Sequence, residues 1–210
     1  SKSLNGFINL FSRILYLLTF IRNIMYNKNM KNYTNIMLDL ETCGTIPNAK
    51  VLSISAVAFD PFDYTADLSD NPTLDLLLSL DDQENRYEDP ATLEWWAKQD
   101  PSVIEKIFSD TGRVSVEHAL AQLTKFVWNK DRLWAQGIAV DFPMLDNLYR
   151  EHSKNIPWQY WRVTDSRTLR ALTTTQEYPA SHDSLDDCRQ QIRAVTEALH
   201  KLGVEEFSRK

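Results

Sequence analysis

Residues 35–44 read N-I-M-L-D-L-E-T-C-G. An apolar run, Ile36 to Leu40, is broken only by Asp39, followed by Glu41 and closed by a Thr42-Cys43-Gly44 turn. The run is strand-like in length and composition. Side chains in a strand alternate between faces, so Asp39 and Glu41 point the same way, about 7 Å apart along the backbone. Carboxylates that close repel one another, and folding them together is costly unless cations neutralise them. Hard oxygen ligands around an open site suit Mg²⁺ or Mn²⁺.

Outward from this strand the chain reads as an α/β domain. Val51–Phe59 is a second strand ended by Asp60-Pro61, and Leu74–Leu80 a third. Short connections favour antiparallel pairing of the three. Helices follow over Ala91–Lys98, with Asp89-Pro90 as cap and first turn, over Pro101–Phe108 and over Ser115–Trp128. Leu133–Gln136 reads as a fourth strand, after which Asp141-Phe142-Pro143 opens a helix to Glu151. Val163–Thr164 is a short fifth strand running into Asp165, and two last helices cover Ser166–Leu172 and Ser184–Leu202. The expectation is one α/β domain over 30–210, a mixed five-stranded sheet flanked by helices.

Residues 1–29 have a different character. Leu4, Phe7, Ile8, Phe11, Ile14, Leu15, Leu18, Ile21 and Met25 recur at helical steps, with polar residues on the opposite strip. The uncharged stretch between Arg13 and Arg22 is eight residues, against roughly 20 for a membrane span. This segment reads as an amphipathic extension ahead of a natural start at Met30, without an integral membrane span.

Bulk composition narrows the partners. The net charge is −6, and residues 1–30 hold four basic residues and no acid, which leaves −10 on the remainder. That balance argues against a broad basic groove gripping many phosphates. It does not exclude a nucleic-acid substrate, since bound cations would invert the charge locally, but it predicts weak, short contacts. Two cysteines make no disulfide framework and fit a reducing cytoplasm. Cys43 and Cys188 are read as reduced thiols without a catalytic role.

Three further residues join Asp39 and Glu41. Asp141 follows strand, turn and Gly137; Asp187 lies on the last helix; His182 stands five residues before it in S-H-D-S-L-D-D-C. Taken singly, each has an ordinary alternative: a strand-end charge, a helix cap, a solvated helix face, a surface histidine. Their joint order and spacing point instead to a two-metal phosphodiesterase, with His182 as a base able to take a proton near neutral pH. A catalytically silent nucleic-acid-binding module is the rival from another class. Trp95 and Trp96 could stack on an unpaired base, but adjacent helix positions differ by about 100°, which sends one of them to the core. Arg167 suits either a phosphate or an ion pair.

The order D-x-E, D, H-x-x-x-x-D resembles the DEDDh 3′-5′ exonucleases, the proofreading-subunit-like group with a ribonuclease H-like fold. L-E-W-W-A-K-Q (93–99), L-W-A-Q-G…D-F-P-M-L (133–145) and P-W-Q-Y-W…D-S-R-T-L (157–169) are similar to the bacteriophage exonuclease A branch and its bacterial exoribonuclease-like relatives. The resemblance covers about residues 35–200, with Gln136 where relatives often carry Asn. It implies two Mg²⁺ or Mn²⁺ ions: Asp39 bridging both, Glu41 and Asp187 completing the nucleophile side, Asp141 on the other. It also implies that Leu40 and Thr42 hold the terminal nucleotide. The expected partner is a single-stranded DNA or RNA 3′ end, with DNA somewhat favoured, and the expected product a nucleoside 5′-monophosphate.

Overall fold

The computed structural model describes residues 33–174 and 181–208. The amphipathic strip of residues 1–29 lies outside them. Six strands form one sheet: β1 (Asn35–Thr42), β2 (Val51–Phe59), β3 (Thr73–Leu78), β4 (Arg113–Val114), β5 (Arg132–Ala135) and β6 (Val163–Asp165), in the order β4-β3-β2-β1-β5-β6. β1, β2 and β3 pair antiparallel, whereas β5 joins β1, β6 joins β5 and β4 joins β3 in parallel. The sheet is thus mixed and flanked by helices, as expected, but has six strands where five are read from the sequence. The additional strand is β4. Its two residues are too few to display alternation, and they become a strand only by pairing with Leu77 and Leu78.

Six α-helices are described: α1 (Pro90–Trp96), α2 (Pro101–Phe108), α3 (Val116–Phe126), α4 (Ile138–Glu151), α5 (Ser166–Ala171) and α6 (Ser184–Lys201). Asp89, Asp100, Ser115, Asp165 and Asp183 each cap a helix start, accepting from the backbone N–H of the second or third helical residue. α4 departs from the expected start. It opens at Ile138 with Gly137 as its cap, so Asp141 lies inside the first turn and its own N–H bonds the Gly137 carbonyl. Pro143, which suits a first turn, sits further in and makes the sequence look as if the helix began later.

Period-2 alternation in β1 decides which groups meet. Ile36, Leu38 and Leu40 enter the core beneath α3 and α4, beside Leu120, Leu123, Leu145 and Leu148. Met37 enters the opposite layer, against Cys188, Ile192, Val195 and Leu199 of α6. Burying each such side chain contributes roughly 1.5–3 kcal/mol. Asp39 and Glu41 continue the Met37 face toward the start of α6. The site lies where this layer ends.

α6 is also docked by buried hydroxyls. Ser184 Oγ lies 2.9 Å from Ser53 Oγ and 2.7 Å from Ser55 Oγ, and Ser55 donates to Asp75 Oδ1 at 2.7 Å. The Cys188 thiol meets the Met37 and Ser55 carbonyls at 3.6 Å. Both cysteines are free and buried.

Candidate active site

The end of β1, the start of α4, the face of α5 and the first turns of α6 enclose a cleft of about 360 Å³. Asp39, Glu41, Asp141, His182, Asp187 and Arg167 all line it, although up to 148 residues of sequence separate the first from the last acid. One oxygen each of Asp39, Glu41 and Asp187 lies within 4.8 Å of the others. Asp141 stands beside this trio, close enough for its charge to act on Asp39 and Glu41.

The electrostatics follow from burial. Asp39 is pushed well above the ordinary carboxylate range by burial first, then by the charges of Asp141 and Glu41, with a hydrogen bond from Gln191 opposing the shift. Glu41 is raised to about 8 by burial and then by Asp187 and Asp183. Burial raises Asp141 to about 7, against the N–H groups of Gly137 and of Asp141 itself and the charge of Arg167. Without a cation these acids share a site that disfavours their charged forms. A clustered set of hard oxygen donors with this repulsion fits a divalent ion of the Mg²⁺ or Mn²⁺ type.

Asp187 is held firmly. Its Oδ1 accepts the Ser181 N–H at 2.8 Å and the Ser181 hydroxyl at 2.9 Å, and its Oδ2 accepts the His182 N–H at 3.2 Å. The acid therefore anchors the backbone that carries the histidine. His182 adopts a left-handed conformation, φ 56°, which histidine visits more readily than most residues. Its ring stands edge-on to Trp95, with centroids 4.7 Å apart, and is 6.5 Å from Trp96.

The expected substrate residues divide. Trp95 is 40% exposed beside His182, whereas Trp96 is 3% exposed, packed near Cys43, Leu52 and Ile107, and donates its indole N–H to the Thr42 carbonyl. Trp96 thus offers no face to a base. The stacking expectation fails for it, because helical rotation turns it inward. Leu40 belongs to the core cluster and also lines the cleft, and the Thr42 hydroxyl is committed to the Gly44 carbonyl at 2.7 Å. Arg167 is exposed and forms no ion pair among the described residues.

Sequence reasoning missed Gln191, whose Nε2 donates to Asp39 Oδ1 at 2.8 Å. Its signal was available: it stands one helical turn after Asp187, on the same face. Ser181 and the Gln136–Arg170 pair, joined at 2.5 Å, were also missed.

A mixed sheet of this kind, flanked by helices, is the ribonuclease H-like architecture of the DEDDh nuclease neighbours. The chain belongs to the family of the 3′-5′ exoribonuclease Rv2179c-like domain, whose model matches residues 34–199. It is accordingly an enzyme, a phosphodiester hydrolase of the exonuclease kind. A curated relative is the exodeoxyribonuclease of Enterobacteria phage T4, 26% identical in an alignment that covers 82% of this chain and 92% of the relative. Among solved structures, Pop2p of S. pombe, in a Mg²⁺- and Mn²⁺-bound form, superposes with a TM-score of 0.58 at 11% identity, covering 94% of this chain and 93% of that one. The nuclease domain of 3′hExo, a DEDDh member bound to rAMP, gives 0.55 at 11% identity over 86% and 98%. Among the described residues, no helix is long and apolar enough to cross a membrane.

Proposed function

We propose that this chain is a divalent-metal-dependent exonuclease that removes nucleoside 5′-monophosphates from the 3′ ends of single-stranded nucleic acid, DNA in preference to RNA. The observation that carries the proposal is the convergence of the Asp39, Glu41 and Asp187 oxygens within 4.8 Å, in a cleft shared with Asp141 and His182. Asp39 would hold both of two ions, Glu41 and Asp187 one of them, and Asp141 the other, directly or through water. When bound, two such cations supply an activated water and neutralise the oxygen that departs.

His182 takes the proton of the attacking water on an imidazole nitrogen. Asp187, through its bonds to the Ser181 and His182 backbone, keeps that ring at the cleft. Gln191 orients Asp39. Trp95 offers an exposed aromatic face to the terminal base.

The phage T4 exodeoxyribonuclease supports the preference for DNA. A second reading, a 3′-5′ exoribonuclease or oligoribonuclease-like enzyme, is favoured by the family description. Purified protein incubated with 3′- and 5′-labelled single-stranded DNA and RNA, in Mg²⁺, Mn²⁺ or EDTA, tests both. Mononucleotides should appear first from the 3′ label, faster from DNA, and not in EDTA. Faster loss from RNA selects the second reading, and binding without cleavage in either metal refutes both.

A further inference from the structure

The four carboxylates on the cleft wall face a substrate that is itself a string of anions. Cations held by the carboxylates would neutralise the phosphate being cut, but not its neighbour one nucleotide along the strand. Of the residues lining the cleft, the arginines are Arg167 and Arg170. They stand three apart on α5, so both fall on one face of that short helix. Leu169 of the same helix packs in the layer of Met37 and Ile192, and the Asp165 carboxylate fixes the start of α5 by accepting the Thr168 N–H at 2.9 Å.

Neither guanidinium is spent on the acids. Arg170 Nη1 donates to the neutral amide of Gln136, Oε1, at 2.5 Å. Arg167 has no hydrogen bond or ion pair among the described residues, and its influence on Asp141 ranks below burial and the backbone N–H groups. A charge-neutral splint holds one arginine while the other stays open, which leaves N–H donors on both for a planar grip on phosphate oxygens.

We propose that Arg167 and Arg170, with Gln136 as the splint, form a seat for the phosphodiester immediately upstream of the one being cut. The strand then leaves the cleft across α5. The seat deepens the exonuclease reading above and rests on it.

Two substrates separate the seat from the cutting site. One is a single-stranded oligodeoxynucleotide. The other is the p-nitrophenyl ester of thymidine 5′-monophosphate, which carries a scissile phosphodiester and no upstream phosphate. The Arg167→Gln/Arg170→Gln protein should lose roughly 10–100-fold in kcat/KM on the oligonucleotide, mostly through KM. Its loss on the ester should be at least about tenfold smaller. The slope of log kcat/KM against log salt should flatten on the oligonucleotide by up to about 0.7, since one single-strand phosphate contact is lost. Lysines at both positions should recover the salt slope but only part of the KM, because a point charge lacks the fork. Equal losses on the two substrates, or an unchanged salt slope, would overturn the seat while leaving the exonuclease reading intact. The Arg167→Gln protein repeats the test without touching the Gln136 contact. A wild-type protein that cuts no oligonucleotide removes the exonuclease reading and the seat with it.

Discussion

The two flanks of the cleft are built differently. On the α6 side, Asp187 accepts three hydrogen bonds from Ser181 and His182, Gln191 reaches across to Asp39, and buried serines pin the helix to β2. On the α4–α5 side, Asp141 is steadied by N–H groups of its own first turn, and Arg167 makes no hydrogen bond or ion pair among the described residues, acting on Asp141 only through its charge. Preorganised groups suit chemistry, because they need no reorganisation as the reaction proceeds. Groups with spare donors suit a ligand that arrives and leaves. On the proposed reading the first flank carries the base, and the second carries the grip on the upstream strand beside one metal ligand, Asp141.

The largest effect expected is that of Asp39→Asn, the substitution at the point where both flanks meet. It removes a half-buried carboxylate, crowded by Asp141 and Glu41, that is costly without metal. The metal-free variant should therefore melt higher than the wild type, gain little on adding Mg²⁺ or Mn²⁺, and lose nearly all cleavage. Thermal melts with and without metal check this. A full metal response in the variant would remove Asp39 from the ligand set.

His182→Ala comes next, with a loss of roughly 10²–10⁴-fold in turnover and little change in substrate dissociation constant. Rapid single-turnover kinetics together with equilibrium binding separate the two. Full activity would deny the histidine its role and leave the rigid flank without a base.

Acidity offers the third test. In the folded, metal-free protein Glu41 is raised from 4.5 to about 8 and Asp141 from 3.8 to about 7. The folded chain thus holds more protons than the unfolded one between these limits, and stability falls as pH rises through them. What these two groups contribute is full below about pH 4 and is lost as pH passes about 7 to 8. Saturating Mg²⁺ competes with the protons and should flatten the fall. Melting temperature measured between about pH 5 and about pH 8, with and without metal, reads it directly.

Much of this architecture was legible in the sequence. β1 and β2 are strongly apolar, and the period of two put Asp39 and Glu41 together without any tertiary information. His182 and Asp187 were legible because five residues bridge a helix start. β4 was not, because Arg113 and Val114 pair with residues 36 positions earlier and show no pattern of their own. The start of α4 was misplaced because Asp and Pro at 141 and 143 mimic a cap and first turn, while Gly137, with no side chain to cap with, gives no such signal. The Ser181 bonds to Asp187 depend on a backbone bend at His182, which no side-chain periodicity reports.

The two smallest effects compare the flanks by single atoms. Ser181→Ala removes one hydroxyl from Asp187 while leaving the two N–H donors. A cost of about 1–2 kcal/mol in stability should come with a several-fold drop in turnover, checked by urea unfolding and steady-state kinetics. Gly137→Ala adds a Cβ 3.3 Å from Asp141 Oδ2. With few bonds holding Asp141, the carboxylate can shift by a few tenths of an ångström, so only a few-fold loss is expected, seen as weaker metal binding by calorimetry. A larger loss than that of Ser181→Ala would reverse the ranking of the flanks.

The serines beneath α6 have one further property, a direction. Each hydroxyl owns a single proton, and Ser55 gives its proton to Asp75. Ser55 can then only accept from Ser184, and Ser184, its proton spent, can only accept from Ser53. The chain runs one way, from Ser53 to Asp75, and it is unequal in its response to damage. Losing Ser53 takes away its first donor and leaves the remaining bonds in order. Losing Ser55 cuts the chain in the middle: two protons are left for the single Ser53–Ser184 bond and the Asp75 oxygen loses its donor, directly under the first turn of the helix that presents Asp187.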